Sequence, residues 1–227
     1  MPGLVSRVTA RLKPAPAPDL RFAVGGLWEE MGNAQLAFLK SQGMQPGHRL
    51  LDVGCGTLRG GVKFIPYLDP GNYFGIDLSQ EMLDAGLREL EGVGAGGRDP
   101  HLRQTETFDM DFGVPMDYAI AQSVFTHIPL NSILRCVLNV QHVLAPEGRF
   151  YATFFENTAG KNSLEPLSHP QPDHPPLVTH MDRDVYHYDL SAFEWACSGT
   201  ALQVEYIGEW GSLRGQKMLL FTRRPGA

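Results

Sequence analysis

The residues with the clearest chemical potential lie in the run Leu50-Leu51-Asp52-Val53-Gly54-Cys55-Gly56-Thr57-Leu58-Arg59-Gly60-Gly61. An apolar stretch carries a carboxylate and ends in two glycines spaced by one residue. Glycine has no Cβ, so the backbone there can pass close to a ligand. A helix starting just beyond would aim its N-terminal amides at the same spot. A dinucleotide-binding turn has the spacing Gly-x-Gly-x-x-Gly, but here Arg59 holds the third position and glycine arrives one residue late. Asp52 stands two residues before the first glycine, where it would repel a pyrophosphate and attract an amine or a sulfonium. This disfavours a nicotinamide-dependent oxidoreductase, which is kept as the alternative.

Three more segments follow in order. Tyr73-Phe74-Gly75-Ile76-Asp77-Leu78 ends an apolar run in an acid, and Phe108-Asp109-Met110-Asp111 offers two acids. Asp117-Tyr118-Ala119-Ile120-Ala121-Gln122-Ser123-Val124-Phe125-Thr126-His127 leads from an apolar run into polar residues. Together with Asp52-x-Gly54-Cys55-Gly56, these resemble the motifs of the class I S-adenosylmethionine (SAM)-dependent methyltransferases, over most of residues 45–155. The resemblance implies SAM as methyl donor and S-adenosylhomocysteine (SAH) as product. It implies that Asp52, Gly54, Cys55 and Gly56 line the donor, that Asp77 binds both ribose hydroxyls, and that Leu78 flanks the adenine. The adenine amine falls to the turn at Phe108, with Asp109 preferred over Asp111. Gln122 and Ser123 fall beside the methionine portion and the acceptor. A SAM-binding protein without catalysis is a further alternative.

Methyl transfer is an in-line displacement that needs alignment and a dry site. A general base is needed only if the acceptor keeps its proton at neutral pH. His127, a few residues past the fourth strand, is the first base candidate; its other reading is a structural histidine before Pro129. Glu156, at the end of the fifth strand, is the second, and its other reading is a solvated loop acid. Arg59 could pair with a carboxylate of donor or acceptor, or form a plain ion pair. Phe22, Trp28 and Met31 either close over the donor or pack in the core. The stretch from His169 to Pro176, with His180 and His187, raises a metal question, but its spacing matches no metal site. Residues 157–187 are read instead as a lid over the acceptor pocket, and no metal is assigned.

The elements that must position these residues alternate strand and helix, which argues for a parallel sheet covered on both faces. Helices are expected over 28–42, 61–67, 80–90, 131–144 and 190–198. Strands are expected over 48–53, 72–76, within 101–108, and over 117–121, 149–155, 202–207 and 218–222. The alternation gives an α/β fold class, and the resemblance implies its form: a doubly wound, seven-stranded, mostly parallel sheet with an antiparallel last strand. Residues 1–20 are read as a basic segment and a Pro-rich linker, and the resemblance implies a methyltransferase domain over residues 21–227. Leu4, Val5, Val8 and Leu12, with Arg7, Arg11 and Lys13, could touch a membrane surface weakly; the alternative is a frayed end.

The 227 residues carry a net charge of −6, which argues against nucleic acid as a partner. No apolar run reaches the length of about 18 residues that spans a membrane. Cys55, Cys136 and Cys197 lie far apart, as in a reduced cytoplasmic protein. The expected partner is a small-molecule methyl acceptor. The sequence does not define the oligomeric state.

Overall fold

The computed structural model describes residues 20–21, 25–160, 163–171 and 174–226. The basic segment, the Pro-rich linker and Phe22 lie outside the described residues.

The first helix, α1 (Trp28–Ser41), has Glu29 and Glu30 in its first turn and Lys40 in its last, matching the helix dipole. It stops at Gly43, whose φ of 95° is open to glycine at little cost. Then come β1 (Leu50–Val53), α2 (Gly61–Tyr67), β2 (Tyr73–Asp77) and α3 (Gln80–Gly92). The Ser79 side chain caps α3 by accepting from the Met82 amide. Next are β3 (His101–Gln104), β4 (Met116–Ala121), α4 (Leu130–Val143) and β5 (Leu144–Glu156). The chain continues through β6 (Leu167–Gln171), β7 (His174–Thr179), β8 (His187–Tyr188), α5 (Leu190–Cys197), β9 (Leu202–Gly208) and β10 (Lys217–Arg223).

The main sheet runs β3-β2-β1-β4-β5-β10-β9, with β8 added to the end of β5. β1 pairs in parallel with β2 on one side and β4 on the other. β10 runs antiparallel to both β5 and β9. The chain therefore winds outward in one direction from β1 and in the other from β4. A crevice opens at the carboxyl ends of these two strands, where ligands bind in such sheets.

Two cores cover the sheet faces. Leu51, Val53, Ala119 and Phe150 point toward α4 and α5, packing on Ile133, Val137 and Phe193. Leu50, Tyr73, Ile120 and Tyr151 point the other way, onto Met31, Leu39, Phe64 and Leu83. Side chains alternate along a strand, so Asp52 shares the face of Leu50 and falls beside Tyr73.

Two segments differ from the sequence expectation. The strand expected over 149–155 starts earlier, at Leu144, so that β5 takes in Pro146-Glu147-Gly148, and the β4–β5 register shifts between Met116 and Tyr118. Within 157–187, read from the sequence only as a lid, the described residues form the antiparallel pair β6–β7 and the start of the short β8. A two-stranded hairpin leaves one edge of each strand unpaired, so prolines cost little there. Pro170 sits where the pairing shifts between His169 and Gln171. Among the described residues no helix is long and apolar enough to cross a membrane.

Candidate active site

A cavity of about 570 Å³ occupies the crevice at the strand ends, within the usual size range of small-molecule sites. Its floor is the loop after β1. Gly54 has φ 70°, and a Cβ there would stand 2.5 Å from Val124 Cγ2. A side chain would thus be both strained and blocked, and glycine keeps the space open. The Gly54 and Cys55 amides donate to the Ile76 carbonyl at 2.8 and 3.0 Å, which ties the loop to the end of β2.

Asp77 ends β2. Its carboxylate accepts from the Gly56 amide at 2.8 Å and from the Ser79 amide at 2.9 Å, one bond on each oxygen. A carboxylate oxygen can accept twice, so each oxygen keeps a free lone pair and the group keeps a fixed orientation. Leu78 beside it is 66% exposed, an apolar face left open on the cavity wall. Phe108 lies on the same wall at φ 56°, its carbonyl held by the Asn139 side chain at 2.9 Å.

Asp52 is nearly buried and accepts from the Tyr73 hydroxyl at 2.8 Å. Burial pushes its carboxyl up to about 7; the Tyr73 bond opposes this, the Asp77 charge adds to it, and Arg59 opposes it. Arg59, also buried, donates to the Gly26 carbonyl at 3.2 Å. Burial, with repulsion from Arg214, lowers its guanidinium to about 10, so it stays charged. Asp52, Arg59 and Arg214 share the cavity wall. The site therefore holds cationic side chains and a carboxyl poised near neutrality side by side, a pattern suited to a zwitterion.

Gln122 and Ser123 follow β4. The Gln122 Nε2 donates to Gln216 Oε1 at 3.0 Å and to Ser123 Oγ at 3.1 Å. The Ser123 hydroxyl also donates to Gln216 Oε1 at 3.1 Å, and the Ser123 amide donates to Thr153 Oγ1 at 2.7 Å. Among the described residues the buried Gln122 Oε1 has no partner. A lone buried acceptor costs free energy unless a ligand donor meets it. His127 closes the far wall, its Nδ1 2.8 Å from Asp184 Oδ1.

The cavity thus gathers Asp52, Gly54, Cys55, Gly56, Asp77, Leu78, Phe108, Gln122, Ser123 and His127. Asp109 and Asp111 lie off its wall. The Asp109 carboxylate pairs with Arg103 at 2.9 Å, and Asp111 caps the Gly113 amide at 2.8 Å. At that turn Thr105 and Glu106 face the cavity instead. β3 ends at Gln104, paired with Asp77, which brings the next two residues to the sheet edge. Glu156 also lies off the wall, with its carboxylate accepting from the Tyr206 hydroxyl at 2.8 Å. Trp28 is not on the wall and sits under the Arg21 guanidinium at 5.1 Å, while Met31 is fully buried in the core.

Gln35, Met82, Arg214 and Gln216 line the cavity without having been singled out by sequence. Their positions depend on how α1, α3 and the segment before β10 fold over the sheet, and no local motif carries that information. The insertion contributes Leu177 and Val185 to the wall. His169 Nε2 and His187 Nδ1 both bond Thr179 Oγ1, at 3.0 and 2.9 Å. Among the described residues no set of three His, Cys, Asp or Glu side chains converges as a metal site would require.

Sheet order, glycine cradle and acid-tipped strands define a doubly wound α/β domain of the class I methyltransferase architecture. In agreement with this, residues 51–150 match the model of the methyltransferase domain family. Solved structures share the fold. The magnesium protoporphyrin IX methyltransferase of Synechocystis PCC 6803, with bound SAM, superposes with a TM-score of 0.60 at 14% identity, over 86% of this chain and 79% of that one. A SAM-dependent methyltransferase from Clostridium acetobutylicum gives 0.64 at 12% identity, over 89% and 94%. CalS10, an amino pentose methyltransferase from Micromonospora echinaspora, gives 0.63 at 16% identity, over 88% and 93%.

Proposed function

We propose that the protein transfers a methyl group from SAM to an oxygen or nitrogen of a small-molecule acceptor. The observation that carries this reading is the pairing of a cation-seeking half-site with a hydroxyl-binding one across a single glycine cradle. The residues fit the donor. Asp77 offers one free lone pair on each oxygen to a ribose diol, and the unpartnered Gln122 Oε1 offers an acceptor to an α-ammonium group. Leu78 and Phe108 offer apolar faces to a purine, whose amine edge meets the turn from Thr105 to Phe108. Arg59 and Asp52 bracket the amino-acid portion.

When bound, SAM supplies a sulfonium-activated methyl group, so the protein's part is alignment and exclusion of water. Phe155, Leu177, Val185 and Ile128 give the rest of the cavity an apolar lining. The 157–187 insertion acts as the lid on this side. His127 stands at the same end, where a ring nitrogen can accept a proton from an acceptor hydroxyl or amine. A cavity of small-molecule size and the net charge of −6 support a small-molecule acceptor.

The reading is tested by following SAH production from SAM with a panel of small alcohols, phenols and amines. SAH formation that depends on one acceptor class supports it. Tight SAM binding with no turnover on any acceptor would favour the SAM-binding protein without catalysis.

A further inference from the structure

His127 is held more firmly than an exposed histidine needs to be. Its Nδ1 lies 2.8 Å from Asp184 Oδ1, a residue brought in by the insertion. The insertion itself is pinned at this point. The Tyr186 amide donates to the Thr126 carbonyl at 2.7 Å, and the Val185 carbonyl accepts from the His180 amide at 2.7 Å. The Tyr188 hydroxyl donates to the Ile128 carbonyl at 2.7 Å. The residues on either side of His127 are therefore tied to the residues just past Asp184, which holds the backbone that carries the carboxylate beside the ring.

An ionised carboxylate can only accept a hydrogen bond. A neutral imidazole bonded to it through Nδ1 must carry its proton there, which leaves Nε2 with a lone pair. We propose that Asp184 is a positioning residue: it fixes the neutral His127 ring with Nδ1 protonated and Nε2 bare as the proton acceptor of the site. This rests on the reading of His127 as part of a methyl-acceptor site. The acceptor's proton passes to Nε2, and the imidazolium so formed faces the Asp184 carboxylate. The insertion thus contributes a working part of the site as well as a cover, because the chain up to β5 supplies the ring but not its orienting acid.

The test is the tautomer itself. Full-length protein with nitrogen-labelled histidine is examined by long-range proton–nitrogen correlation at about pH 8, above the ordinary histidine pKa of about 6.5. Loss of one ring's signals in His127→Gln makes the assignment. The expected result is Nδ1–H with bare Nε2 in the unaltered chain. Asp184→Ala should shift the population toward Nε2–H, the form an unconstrained ring prefers, and Asp184→Glu should keep Nδ1–H. Both positions are half-exposed, so these variants leave the core untouched. An Nε2–H ring in the unaltered chain, a ring still doubly protonated at that pH, or a tautomer indifferent to Asp184→Ala would each overturn the proposal. Calorimetry with SAH on the same samples reports separately on the donor site. A chain that binds no SAH fails the functional reading, whereas the tautomer depends on Asp184 alone.

Discussion

Replacing Asp52 by asparagine removes a carboxyl that the fold keeps out of water, and the consequence can be worked out in sign and size. Burial lifts this group from 3.8 to about 7. Its folded pKa lies above its unfolded one, so between about pH 4 and 7 the native chain binds the proton more tightly than the unfolded chain does. Its contribution to stability is therefore greatest below about pH 4, falls as pH rises, and levels off above about pH 7. A difference of about three pKa units at about 1.4 kcal/mol each makes the loss on the order of 4 kcal/mol. The asparagine amide has no proton to lose in this range and can still accept from Tyr73. Asp52→Asn should therefore match the parent near pH 4 and exceed it by about 2–4 kcal/mol at pH 8. Thermal or urea melts at the two pH values make the measurement. A variant no more stable than the parent at pH 8 would refute the reasoning. The same carboxyl predicts proton release on ligand binding. Half protonated near pH 7, it should ionise beside a cationic donor and release about half a proton. Calorimetry in two buffers of different ionisation enthalpy should detect that release in the parent and miss it in Asp52→Asn.

Asp77→Ala should weaken SAM binding at least tenfold by calorimetry, through loss of charge-assisted bonds worth about 1.5–3 kcal/mol. Gly54→Ala places a methyl 2.5 Å from Val124 Cγ2 at a positive φ. It should destabilise the fold by about 1–3 kcal/mol in melts, and adding Val124→Ala should recover part of that loss. His127→Ala should lower turnover by about 10²-fold or more with SAM affinity nearly unchanged; weakened SAM binding would instead mark the histidine as structural.

The strands and helices on either side of the site were legible because each carries its own local signal. Leu50 to Gly56 announces a buried strand, a turn and a ligand loop within seven residues. Asp77 and His127 follow from counting strands, since each lies at or just beyond the end of one. The cavity wall between Gln104 and Phe108 was not legible to the residue. Acids at 106, 109 and 111 differ only in where β3 stops, and its pairing with Asp77 decides that. The insertion was harder still. Its prolines and histidines hide a hairpin held by Thr179, His169 and His187, and no periodicity reveals a bond between residues 127 and 184. Arg214 and Gln216 reach the site only because β10 doubles back beside β5. Local chemistry can be read along the chain, but convergence of distant segments requires the fold.

Acid-tipped strands around a glycine cradle should select a sulfonium nucleoside over a phosphorylated one. The decisive experiment is a calorimetric titration of the purified full-length protein with SAM, SAH, NAD and NADP. SAM and SAH should bind saturably and the two dinucleotides not at all. Binding of either dinucleotide with indifference to SAM and SAH would contradict this selectivity.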